Sequence, residues 1–151
     1  MANTQAMCTS FKGELLVGHH NFGTGVTRGS TAADTFKAAL YLASATVNAS
    51  TTAYSATNEV SGTGYTAGGV TVTFGTAPST SGTTAFVTPS ASISYSAVTL
   101  ATAFDAVLIY NSTQSNKAVS VHTFGSQTVT AGTVTLTMPT NDASTGLIRL
   151  A

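Results

Sequence analysis

Apolar and polar residues alternate with a period of two along several segments of the chain, which is the pattern of a β-strand with one buried face. In the first such segment the two alternating sets are Phe36, Ala38, Leu40 and Leu42, and Lys37, Ala39 and Tyr41. The same alternation occurs at 70–74 and at 117–124. We therefore predict a strand at each of these three places.

A fourth segment alternates in two different phases. Ile93 and Tyr95 share one phase, whereas Val98 and Leu100 share the other. A β-bulge inserts one extra residue into a strand, so a bulge between Ser96 and Val98 would bring both pairs onto one face. The phase change predicts a strand with such a bulge.

The most apolar segment of the chain is 106–110, where no polar position interrupts the run. A short continuous apolar run is typical of a strand that is covered on both faces. We therefore predict a central strand from Phe104 to Tyr110, followed by a polar turn over 111–116. One further strand or pair of strands is predicted around Ala131-Gly132, within 129–138, and a last short strand over 147–150.

Turn residues separate these segments. Glycine clusters lie at 61–64 and 67–69, Pro78 to Gly82 is a further predicted turn, and 44–58 is a long loop of small and polar residues. The total is seven or eight strands with turns every 8–12 residues. This pattern predicts an all-β fold, namely an antiparallel β-sandwich or jelly roll.

The N-terminal segment has a different period. Met7, Phe11 and Leu15 are spaced at i, i+4 and i+8, which predicts a helix over 5–17 with Thr4 as its N-cap and Gly18 at its end. Three glycines then predict a loop or extended arm over Asn21–Ser30. We accordingly divide the chain into a helix and arm, 1–30, and a β-sandwich domain, 31–151.

Composition adds that the surface is poor in charge. Of 151 residues only ten are charged, five of each sign, while Thr, Ala, Ser and Gly make up more than half of the chain. A domain of this mass exposes roughly 7,000 Å², which leaves about one charge per 700 Å², and a partner in a standard interface covers about 800 Å². Patches with almost no charge are therefore wide enough to bind another protein.

The same composition argues against several classes of function. Nucleic acid and anionic membranes attract clusters of Lys and Arg, and the net charge here is zero. No apolar run approaches the roughly 20 residues of a membrane span, and the N-terminus lacks a signal-peptide pattern. Cys8 is the single cysteine, so the chain forms no internal disulfide.

Histidines are the first residues to consider for catalysis or metal binding. His19 and His20 are adjacent, and neighbours in an extended segment point to opposite faces, so the pair cannot grip one metal ion unless His122 comes close. His122 could also join Asp105 and a nearby serine in a triad, but no Gly-x-Ser-x-Gly elbow singles out a nucleophile. We predict neither a metal site nor a catalytic triad.

Carboxylates and glycines do not change this conclusion. The acids that could supply a catalytic pair are far apart in the sequence, so no spacing singles out a pair: Glu14, Asp34, Glu59, Asp105 and Asp142. The glycine-rich stretch 62–68 has the wrong spacing for a dinucleotide fingerprint and precedes a strand rather than a helix. We expect no catalytic residue, no cofactor and no enzymatic activity. The five tyrosines are either core residues or interface residues: Tyr41, Tyr54, Tyr65, Tyr95 and Tyr110.

Several segments resemble small virion proteins of tailed bacteriophages. They are residues 1–12 with Glu14-Leu15-Leu16, then 35–41, 108–112 and 147–149. The most specific is 52–69, which contains Glu59-Val60-Ser61-Gly62-Thr63-Gly64-Tyr65. Together these segments contain 48 of the 151 residues, spread from residue 1 to residue 149, and they carry no enzymatic motif. In size and β content the chain is similar to the cement, or decoration, proteins of icosahedral phage heads.

This resemblance implies a structural protein on the capsid exterior. It would bind the major capsid protein, act as a homo-dimer or homo-trimer, and brace the head against the pressure of the packaged DNA. The N-terminal helix and arm could then reach a neighbouring capsid subunit. The alternatives are a tail or fibre component and, from a different class, a glycan-binding jelly-roll module.

Overall fold

The computed structural model describes residues 3–8, 10–11, 15, 18–20, 22–24 and 33–150 of the chain. Within these residues there are eight strands: β1 (Ala6–Met7), β2 (Phe36–Leu42), β3 (Val70–Val72), β4 (Ser79–Ser81), β5 (Thr84–Val87), β6 (Ile93–Asn111), β7 (Lys117–Leu136) and β8 (Ile148–Leu150). They form a five-stranded sheet in the order β1-β7-β6-β2-β3 and a three-stranded sheet in the order β4-β5-β8. Every pairing is antiparallel. The predicted all-β sandwich is confirmed.

The core lies where β2 pairs with the second half of β6, and where that half of β6 pairs with the first half of β7. From Phe104 to Asn111 every residue of β6 except Asp105 is buried, as expected for a strand with neighbours on both edges and cover on both faces. Phe22, Phe36 and Phe74 form an aromatic group beside it, with Phe22 and Phe36 stacked at 4.6 Å between ring centroids. Val87 and Ile148 bring the smaller sheet into the same core.

The bulge predicted near Ser96 is confirmed. The pairing of β6 with β7 shifts between Tyr95 and Val98, and Ala97 there has a φ of 54°. As a result Tyr95, Val98 and Leu100 are all buried although they differ in phase. The bulge therefore keeps one face of the strand apolar, as the sequence pattern requires.

Strand boundaries differ from the sequence in three places. The segments predicted as separate strands merge into two long strands, β6 of 19 residues and β7 of 20 residues, because each pairs with the other along its length. The predicted turn from Pro78 to Gly82 is wrong, since Ser79–Ser81 form β4. The turn there is the two-residue Gly82-Thr83 connection of a hairpin, and Ser and Thr on both sides of it hid the strand.

The helix predicted over 5–17 is wrong at its start. Ala6 and Met7 pair with Val121 and Ser120 as β1, since the edge of β7 offers backbone groups that need partners. Ser10, Phe11 and Leu15 are helical, and Phe11 is fully buried. The apolar stripe thus packs onto the protein's own core. Of the predicted arm, Asn21 and residues 25–30 lie outside the described residues, and the division of the chain at residue 30 stays a prediction.

Candidate functional site

The first half of β6 and the second half of β7 pair with each other and carry many exposed residues. We call residues 93–103 and 125–136 the uncharged ribbon. Neither segment contains a charged residue, since there is none between Glu59 and Asp105 or between Lys117 and Asp142. Its exposed residues are small or hydroxylated, with a single amide: Ser94, Ser96, Ala97, Ala101, Thr102, Ala103, Gly125, Ser126, Gln127, Thr128, Thr130, Ala131, Thr133 and Thr135. This surface can lose its water without desolvating a charge.

The edge of β6 that faces away from β7 is held against the loop over 60–69. Thr63 bridges to Thr99, and the Thr99 amide donates a hydrogen bond to the Thr63 carbonyl at 2.9 Å. Gly62 and Gly64 pass so close to the carbonyls of Thr99 and Ala97 that a Cβ on either glycine would collide with them. The ribbon is therefore held along one edge by this loop, which favours a preformed binding surface.

The most elaborate polar cluster surrounds the buried carboxylate of Glu59. It accepts hydrogen bonds from the Tyr54 hydroxyl at 2.7 Å, the Tyr65 hydroxyl at 2.7 Å and the Gly68 amide at 2.8 Å. All five tyrosines of the chain interact with this carboxylate or lie beside one another around it. We call Glu59 and these five residues the tyrosine cluster.

Every phenol of the tyrosine cluster is hydrogen-bonded. Tyr41, Tyr95 and Tyr110 donate to the carbonyls of Ser55, Ala38 and Gly68, respectively. Tyr65 also accepts from the Leu40 amide at 3.0 Å. The cluster thus ties the loop over 53–69 to the central strands β2 and β6.

Burial raises the pKa of all five phenols, to about 12 for Tyr41. At neutral pH they are neutral donors, and their hydroxyls are already committed to the fold. Of the two sequence interpretations, core residues and interface residues, the structure supports the first for Tyr41, Tyr95 and Tyr110, which are buried, whereas Tyr54 and Tyr65 are partly buried against the core. The role of Glu59 was missed because its donors lie five, six and nine residues away in an irregular loop, a spacing that matches no helix or strand period.

His122 lies at the wall of an apolar cavity of about 310 Å³ that is also lined by Ile93, Ile109, Leu136 and Met138. Its Nε2 lies 2.9 Å from the Ser120 hydroxyl. Burial lowers the pKa of this imidazole to about 4, so it is neutral near pH 7 and a weak base. The Asp105 carboxylate accepts a hydrogen bond from the Asn3 side-chain amide at 2.5 Å.

The other candidate residues are dispersed. His20 is buried against the Phe11 ring at 4.7 Å between centroids, and its Nδ1 lies 3.1 Å from the Asn111 side-chain amide. The Asp34 carboxylate accepts from the same amide at 2.7 Å. Asp142 accepts from the backbone amides of two following residues, and Glu14 lies outside the described residues. Among the residues that the structure describes, no three His, Cys, Asp or Glu side chains group closely enough to hold a metal ion.

The glycine-rich stretch 62–68 is a loop over the sheet rather than a phosphate cradle. Gly68 has a φ of 87°, and its amide faces Glu59, a negative group. No helix in the described part of the chain is long and apolar enough to cross a bilayer. Comparison with known proteins adds nothing to this geometry, since no family model, curated protein or solved structure matches the chain.

Proposed function

We propose that this chain is a structural virion protein, a capsid cement or decoration protein that binds the outer surface of the major capsid shell and stabilises the head. The observation that carries the proposal is the uncharged ribbon, which is exposed, held along one edge and free of charged side chains. The resemblance to small phage virion proteins supplies the partner.

Physical arguments support binding of many copies at a crowded surface. The accessible surface is 7272 Å², and zero net charge means that neighbouring copies do not repel one another. Threonine and serine hydroxyls keep such a surface soluble, and each can hydrogen-bond to a partner when water is removed. Weak contacts made by several linked copies multiply through effective concentration, so a modest affinity per contact suffices.

The tyrosine cluster fits a structural role better than a glycan-binding one. Sugar sites use exposed aromatic faces, whereas Tyr41, Tyr95 and Tyr110 are buried and the hydroxyls of all five tyrosines bond within the chain. The chain has no Trp that could replace them. A tail or fibre component remains the alternative that experiment has to separate from a head protein.

Binding to phage heads that lack the protein tests the ribbon directly. The double variant Thr128→Glu/Thr130→Glu places two carboxylates on exposed positions of one face of β7, because residues two apart on a strand share a face. Buried against a partner without counter-charges, each is expected to weaken binding at least tenfold. The matched control is Ala56→Glu/Thr57→Glu, the same charge change on exposed residues of the loop before Glu59.

Loss of head binding in the ribbon variant, with binding retained in the control, supports the proposal. Equal binding by both variants and the parent chain contradicts the ribbon as the contact surface. Failure of the parent chain to bind heads contradicts the proposed function itself.

A further inference from the structure

Within the described residues, the strand β4 is an exposed and uncharged sheet edge. It lies at the end of the order β4-β5-β8, and its three residues, Ser79, Thr80 and Ser81, are all exposed. Natural proteins protect such edges by keeping the strand short, as the three residues of β4 are, or with charged side chains, prolines within the strand or bulges. Here the strand carries no charge, its only proline is Pro78 just outside it, and its register with β5 is regular.

Other described edges are better covered. Beyond β3 the chain is approached by Gly23 and Thr24, and the Thr24 hydroxyl donates to the Gly75 carbonyl at 3.0 Å. The edge strand β8 carries Arg149, whose guanidinium bonds to the Ala143 and Ser144 carbonyls. The edge strand β1 has two residues. Among these edges, β4 is the one that carries no charge and lies fully exposed.

The hairpin geometry shows which backbone groups β4 presents. Gly82 and Thr83 connect Ser81 to its partner Thr84, and the pair that flanks a two-residue loop exchanges both of its hydrogen bonds. Hydrogen-bonded and non-bonded pairs alternate along an antiparallel ladder, so Thr80, opposite Ala85, bonds to nothing on β5. Its N–H and C=O therefore point outward, away from the sheet.

We propose that β4 pairs with β4 of a second copy of this chain about a two-fold axis through Thr80, which joins two three-stranded sheets into one of six strands. An outward donor and acceptor on one residue are self-complementary under a two-fold rotation, because each Thr80 gives its N–H to the other's C=O. The absence of charge lets the two edges approach without repulsion. The pairing uses the β4 edge of each copy, so no β4 edge is left to add a third copy.

Substitutions at Thr80 separate this pairing from folding. Thr80→Pro removes the outward N–H but none of the β4–β5 hydrogen bonds, and proline is tolerated where a strand's N–H faces solvent. Thr80→Val keeps that N–H and is the matched control. Thr80→Lys keeps every backbone group and places two like charges opposite each other at the axis, an effect that salt screens.

Sedimentation equilibrium of the full-length chain over a wide concentration range measures the result. The parent chain and Thr80→Val are expected to rise in mass from 15.1 kDa towards twice that value, and Thr80→Pro to remain at one copy. For Thr80→Lys we expect dissociation at least tenfold stronger at low salt than at high salt.

Three results would overturn the inference: a parent chain that stays monomeric at the highest concentration, a mass that converges on three copies, or a Thr80→Pro variant that associates like the parent. Exchange of the Thr80 amide gives a second readout that does not depend on any variant. It is expected to slow with protein concentration in the parent chain, and concentration-independent exchange would also count against the pairing. Neither experiment uses phage heads, so the inference and the proposed capsid role fail separately.

Discussion

Glu59→Gln tests whether the tyrosine cluster holds the loop over 53–69 on the sheet. The carboxylate accepts three hydrogen bonds. A hydrogen bond to a charged group contributes about 1.5–3 kcal/mol and a neutral one about 0.5–1.5 kcal/mol. Glutamine retains one oxygen with two acceptor sites, and its amide faces the Tyr54 hydroxyl, which can accept. The loss is therefore about 1 kcal/mol for each donor, or about 3 kcal/mol in the free energy of unfolding.

Urea unfolding monitored by tyrosine fluorescence is the assay, because the chain has no Trp and all five tyrosines belong to the cluster. A loss of about 3 kcal/mol lowers the midpoint by at least about 1 M when the slope is about 1–3 kcal/mol per M. Asp142→Asn is the control. It removes a carboxylate that also accepts hydrogen bonds but lies in an exposed turn, and a smaller effect is expected. A Glu59→Gln midpoint within about 0.2 M of the parent would refute the reasoning.

Three further predictions follow from buried groups and close contacts. The phenol pKa values lie above that of an unfolded tyrosine, about 10, so the stability they contribute is complete below pH 10 and is lost as pH rises towards about 12, the pKa of Tyr41. The absorbance of ionised tyrosine at 295 nm should therefore rise together with the loss of near-ultraviolet circular dichroism. Ionisation at pH 10 in the native fold would contradict this. Burial lowers the pKa of His122 from 6.5 to about 4. The neutral imidazole therefore favours the fold above pH 6.5, and stability declines by up to about 3 kcal/mol between pH 6.5 and 4. His122→Gln should reduce the difference between the urea midpoints at these two pH values, and an unchanged pH dependence would show that burial of His122 is not the cause. Gly69 has a φ of 70°, and a Cβ there would collide with the Ala38 carbonyl, so Gly69→Ala should lower the free energy of unfolding by more than about 2 kcal/mol. Gly82 has a φ of 58° with open space around it, so Gly82→Ala should lower it by less. Equal losses would show that the close approach of Gly69 to Ala38 contributes nothing.

The β content of the fold could be predicted from hydrophobic periodicity because the strands have buried faces. Val98 and Leu100 even revealed the bulge, because in a regular strand they would lie on the exposed face, opposite Ile93 and Tyr95. β4 gave no such signal. All three of its residues are exposed, so no alternation marks it, and its two serines are residues typical of turns.

Long-range pairing explains what the sequence pattern missed. The apolar spacing of Met7, Phe11 and Leu15 correctly indicates a face against the core, but Met7 reaches it from a strand because β7 has a free edge beside it. Glu59 and Tyr95 are brought together only by the order of β2 and β6 in the sheet. The uncharged ribbon could be predicted only in part, because composition indicates that charge-poor patches exist without showing where they lie.

The proposed role as a capsid cement protein depends most directly on where the chain sits in the virion and how often. Quantitative mass spectrometry of purified particles, with cryo-electron microscopy to locate the added density, measures both. The proposal predicts a copy number comparable to that of the major capsid protein, with density on the outer surface of the head. A few copies per particle, with density on the tail or none on the head, would contradict it.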